Sequence, residues 1–156
     1  MITADIPGLA VLELEHLVLD FTGTLARDGV LRDGVAPWLK ELSQGLRVHV
    51  VTADTFGRAR SALDGLPLEL EILASGGEAA AKRQRVVALG ARRCAAMGNG
   101  ANDALMLQAA ALSIAVVGGE GASTEALRAA QVAVRDPCDG LDLLLQPRRL
   151  VATLRR

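Results

Sequence analysis

The chain has 156 residues, 51% of them hydrophobic, with 17 basic against 18 acidic side chains. That length suits one domain with a proper core, and the balanced charge gives neither nucleic acid nor an anionic membrane an electrostatic hold. Aromatics at 2% leave no stacking platform for single strands, and no apolar run nears the roughly 20 residues that span a bilayer.

The first eight residues lack the basic start and apolar centre of a signal peptide. Residues 11–14 are read as a short extra strand feeding a main strand at 16–20, whose apolar run Leu17, Val18, Leu19 stops at Asp20. A carboxylate at the carboxyl end of a strand sits where open α/β sheets place their ligand crevice. Asp28-Gly29 between apolar flanks in 25–31 signals a small flap hairpin. A helix over 37–44, with Pro37 in its first turn and Gly45 after it, follows the usual start and stop signals.

The second strand is 47–52, ending at Thr52, with a helix over 55–63 and a strand over 68–73. Ser75-Gly76-Gly77-Glu78 fits a capping box opening a helix to about Leu89, which carries Lys82. A strand over 93–97 leads into the loop Gly98-Asn99-Gly100-Ala101-Asn102-Asp103 and a helix to Ala110. Strands at 112–117 and 132–134 flank a helix at 124–130, and helical turns at 141–145 and 148–154 close the chain. Arg148, Arg149, Arg155 and Arg156 are read as charge near a helix C-terminus. Strands alternating with helices predict an α/β fold: a Rossmann-like three-layer αβα sandwich around a mainly parallel sheet.

Cys94 and Cys138 are too few for a disulfide framework, and with His16 and His49 isolated they make no zinc pattern. All four read as core or surface residues in a reduced, cytoplasmic protein. Of the 17 basic residues only Lys40 and Lys82 are lysines, so a lysine here can mark a place where a compact ammonium is needed. Taken singly, Thr52 is an ordinary strand end, Asp54 with Thr55 a helix cap, Lys82 a solvated position, and the 98–103 loop a glycine turn. Together they follow one order, and in a parallel sheet the ends at 20, 52 and 97 open on the same edge.

Asp20-Phe21-Thr22-Gly23-Thr24-Leu25 resembles the aspartyl-phosphate motif of the haloacid dehalogenase (HAD) superfamily in its P-type ATPase variant. Thr52-Ala53-Asp54 and Gly98-Asn99-Gly100-Ala101-Asn102-Asp103-Ala104 resemble further motifs of the same soluble P-type ATPase-like group. The resemblance implies a phosphatase with Asp20 as nucleophile, Thr22 in the acid/base place, and Thr52, Ala53, Gly23 and Lys82 around the phosphoryl group. It further implies Mg²⁺ held by Asp20, the Thr22 carbonyl, Asn99 and Asp103 (unless Asp103 orients Lys82 instead), with Asn102 and Asp54 in support. Thirty-one residues separate Asp20 from Thr52 and 29 separate Thr52 from Lys82, too few for a cap domain.

Two positions depart from the pattern. Thr22 stands where phosphatases of the superfamily carry an Asp acid/base, and Asn99 where they carry a metal-binding Asp. The expectation is a slow Mg²⁺-dependent phosphohydrolase acting on a phosphorylated small molecule or protein. The alternative is a weakened phosphate-binding or regulatory module that docks on a protein. Missing cap material also leaves room for a homo-oligomer.

Overall fold

The computed structural model describes residues 1–156. Six parallel strands form the central sheet in the order β10-β9-β8-β3-β6-β7. They are β3 (His16–Leu19), β6 (Arg47–Thr52), β7 (Glu69–Ile72), β8 (Cys94–Gly98), β9 (Leu112–Val116) and β10 (Val132–Val134). The expected α/β architecture is therefore present, and every strand of the sheet is parallel. β3 lies at the centre, with Leu19 level with Val50 on one side and Met97 on the other. Nothing larger than the flap and a few short elements separates these strands, and no cap domain is inserted.

Central strands of a parallel sheet are covered on both faces and read as continuous apolar runs. β3 alternates accordingly. Leu17 and Leu19 join the larger core with Val48, Val50, Met97 and Ile114, while Val18 joins the smaller one with Val51, Ala96 and Val86. Helices α1 (Val35–Leu42), α6 (Pro137–Leu145) and α7 (Pro147–Leu154) supply Leu39, Leu42, Leu141, Leu144 and Leu150 to the larger core. Helices α3 (Glu78–Leu89), α4 (Ala104–Ala109) and α5 (Thr124–Ala129) cover the other face.

Several local readings are corrected. The amino-terminal strand does not feed the main sheet: β2 (Ala10–Leu14) pairs antiparallel with β1 (Ile2–Ile6) in a separate hairpin. The helix expected over 55–63 shrinks to α2 (Ala59–Ala62), because Asp54 Oδ1 accepts from the backbone N–H groups of Arg58 and Ala59 rather than capping at Thr55. No Ser75 capping box forms. Gly77, at φ 77°, is the N-cap of α3, and Glu78 reaches back to the Gly76 N–H at 3.0 Å. Arg148 and Arg149 stand in the first turn of α7, and Arg149 pairs with Asp142 of α6.

The flap is present as β4 (Ala26–Arg27) and β5 (Val30–Leu31), turned by Asp28 and Gly29 at φ 51° and 74°. Two successive positive φ values are what a tight hairpin of this twist requires. His16 and His49 are both buried, sharing a 3.1 Å hydrogen bond between Nδ1 and Nε2. Burial lowers the pKa of each. Arg85 of α3 reaches over them to Glu69, at 2.7 Å, and to His49. Both cysteines are free, Cys94 buried and Cys138 partly so.

Candidate active site

The ends of β3, β6 and β8 open on one sheet edge, and the loops beyond them line a crevice of about 170 Å³. Its walls are Asp20, Thr22, Thr52, Ala53, Thr55, Asn99, Gly100 and Asn102. Asp20 follows directly from β3, its N–H donating to the Met97 carbonyl at 3.0 Å. The Phe21 carbonyl then accepts from the N–H groups of Thr24, Leu25 and Ala26, which folds the chain sharply back just after Asp20.

Beneath the crevice Lys82 is fully buried. Its ammonium donates to Asp20 Oδ1 at 2.8 Å and to Asp103 Oδ1 at 2.6 Å. Burial alone would pull the lysine pKa down, yet the two carboxylates hold it above its ordinary value. Asp20 is pushed up to about 7, first by burial and then by the Asp103 carboxylate, against the pull of Lys82. One ammonium thus serves two buried acids.

Asp103 is not placed as the metal ligand expected of it. Its Oδ1 is taken by Lys82, and its Oδ2 accepts from the N–H groups of Asn99 and Gly100 at 2.9 and 2.8 Å. It fixes the lysine and the 98–103 loop. Asp54 is likewise turned away from the crevice. It sits at φ 51°, its carboxylate caps α2, and its N–H donates to Thr52 Oγ1 at 3.0 Å. That contact occupies a Thr52 lone pair and leaves the hydroxyl hydrogen free to donate.

Gly23 acts by having no side chain. At φ 76°, a Cβ there would stand 2.4 Å from Asn99 Nδ2, so its place is to let the amide close in, not to touch phosphate. Thr24, overlooked in the sequence although it belongs to the Thr-Gly-Thr turn, donates to Asn99 Oδ1 at 3.0 Å and lies 3.4 Å from Asp20 Oδ2. Asn99 Nδ2 donates to the Gly121 carbonyl, which fixes the amide with its oxygen toward Thr24 and Asp20.

A hard divalent cation asks for oxygen donors, and the crevice is lined by them. No three His, Cys, Asp or Glu side chains gather to hold one. The crevice does bring together a carboxylate, an amide oxygen and the buried Thr22 Oγ1, which has no hydrogen-bond partner. Oxygen donors with few charges suit Mg²⁺, which keeps several waters and needs only one or two carboxylates.

No protein-family model matches the chain. Among curated proteins it is 45% identical over 64 residues to the uncharacterized protein MJ0073 of Methanocaldococcus jannaschii, covering 41% of this chain and 69% of that one. The 3-deoxy-D-manno-octulosonate 8-phosphate phosphatase of Moraxella catarrhalis was solved with magnesium, phosphate and the sugar acid. It superposes with a TM-score of 0.71 at 15% identity, over 91% of this chain and 94% of that one. A Legionella pneumophila protein described as a HAD-superfamily hydrolase of subfamily III A gives 0.71 at 17%, over 90% and 87%. A zinc-transporting PIB-type ATPase gives 0.62 at 30%, over 80% of this chain but 20% of that one.

Proposed function

Because the chain belongs to the same family as that archaeal protein and has the fold of the haloacid dehalogenase superfamily, we propose that it is a slow phosphohydrolase. It would depend on Mg²⁺ and work through an aspartyl phosphate on Asp20. The observation that carries this reading is the Lys82 ammonium wedged between Asp20 and Asp103 under a polar crevice. Two buried acids around one base are costly to fold and typical of a site built for charge chemistry.

In the first half-reaction the Asp20 carboxylate attacks phosphorus, and the leaving oxygen departs with the bonding electron pair. Lys82 neutralises charge on the nucleophile, and the Thr52 hydroxyl donates to a phosphoryl oxygen. Mg²⁺ held by Asp20 and the Asn99 amide oxygen would neutralise charge on the transferring group. In the second half-reaction water attacks phosphorus, releasing inorganic phosphate and restoring the carboxylate. Thr22 has no carboxyl group to take the proton from that water, and Asp54 is committed elsewhere. Breakdown of the intermediate is therefore the slow step.

Mixing enzyme, Mg²⁺ and p-nitrophenyl phosphate tests this directly. The expected result is a nitrophenol burst stoichiometric with enzyme and a phosphorylated peptide containing Asp20. Phosphate binding without a burst would favour a binding module. Thr22→Asp should raise steady-state turnover by about 10²-fold, the lower end of what a positioned acid/base supplies, and should shrink the burst. Asn99→Asp adds a second carboxylate to the cation position. In a calorimetric Mg²⁺ titration it should bind roughly tenfold more tightly, about 1.4 kcal/mol.

A further inference from the structure

Two independent features narrow the leaving group, given the phosphohydrolase reading above. The first is chemical. Thr22 occupies the acid/base place, and an aliphatic hydroxyl is far too weak an acid to protonate a departing oxygen near neutral pH. A leaving group must then carry its own negative charge. A phenol, ionising near pH 10, can do so; an alkyl alcohol, a far weaker acid, cannot. The second is geometric. The crevice holds about 170 Å³, so most of a leaving group must lie at its mouth.

Next in the chain after the lining Thr55 comes Phe56, which packs against the flap. The flap tip is a glycine pressed against it: a Cβ on Gly29 would come 2.7 Å from Phe56 Cβ and 3.1 Å from Arg58 Cδ. The chain has two phenylalanines. Phe21 is fully buried, whereas Phe56 keeps 45% of its surface exposed despite this contact, beside a flap whose Val30 is 58% exposed. No cation lines the crevice walls.

We infer that the preferred substrates are aryl phosphates, the aromatic ring of the leaving group lying on Phe56 at the flap tip. Asp20 Oδ forms the bond to phosphorus as the phosphorus–phenolate bond breaks. The phenolate leaves with the electron pair and takes its proton from solvent. Phe56 determines specificity and takes no part in bond making.

The test compares phenyl phosphate, p-nitrophenyl phosphate, ethyl phosphate, acetyl phosphate and ATP as probes with the full chain and Mg²⁺. Wild-type kcat/KM should be at least about 10²-fold higher for the aryl esters than for ethyl phosphate, and Thr22→Asp should narrow that gap. Phe56→Ala should lose about fivefold on the aryl esters, the scale of one aromatic contact, and nothing on acetyl phosphate, which has a good leaving group but no ring. Phe56→Leu, which keeps an apolar side chain over Gly29, should show the same selective loss. Ethyl phosphate or ATP turned over as well as the aryl esters would overturn the inference, as would an equal loss on acetyl phosphate or no loss in either variant. Absence of both turnover and phosphoenzyme with every probe would instead remove the phosphohydrolase reading itself.

Discussion

Lys82→Met is expected to cost about 3–5 kcal/mol of stability at pH 8, the scale for removing one partner of a buried charge network. It leaves Asp20 and Asp103 facing each other, both nearly or fully out of water, with no ammonium between them. Phosphoenzyme formation should fall by about 10²–10³-fold, the usual loss when one preorganised positive donor is removed. Urea unfolding across pH checks the cause. Acid protonates the stranded carboxylates, so the gap between variant and wild type should narrow toward pH 5. A gap that stays constant would mean that the lysine contributes packing rather than charge.

Asp20→Asn is expected to abolish the burst and the phosphopeptide while making the metal-free protein more stable. The sign follows from the raised pKa. The unfolded carboxyl ionises near its ordinary value of 3.8 and the folded one near 7, so the folded state binds more protons between these values. Stability from this group therefore falls as pH rises through that window, and the penalty is complete above it. The asparagine carries no such penalty. In EDTA at pH 8 the variant should gain on the order of 2–3 kcal/mol in urea unfolding, the gain fading toward pH 4. Equal stability at pH 8 would show that Asp20 sits in the folded protein at no electrostatic cost.

Much of the frame could be read from the residues because the physics there is local. Strands 47–52 and 132–134 have the expected bounds, since their apolar runs stop at a Thr and a charged residue. Asp20, Thr52 and the loop after β8 line one edge because every strand of the sheet is parallel. The hairpin of β1 and β2 went unread although Ile2-Thr3-Ala4-Asp5-Ile6 alternates with a period of two, the mark of a half-buried strand. Asp54 illustrates what a sequence withholds. A cap and a water-positioning base use the same side chain, and only the Arg58 and Ala59 N–H groups decide between them. Asp103 is similar: three donors claim its two oxygens, and two of them come from backbone whose path a linear string does not reveal.

Helix α3 is gripped at two successive turns. Lys82 is anchored to the acids at the carboxyl edge of the sheet, and Arg85 is clasped by Glu69 over the histidine pair. An α-helix advances about 100° per residue, so neither grip survives a turn of the helix about its own axis. The segment therefore behaves as a keyed shaft with a single angular setting. Extra residues at Gly76 or Gly77, which have open space around them, spool out as loop. One extra residue between Lys82 and Arg85 would swing the ammonium out of register with the guanidinium, and no sliding of the helix could restore both.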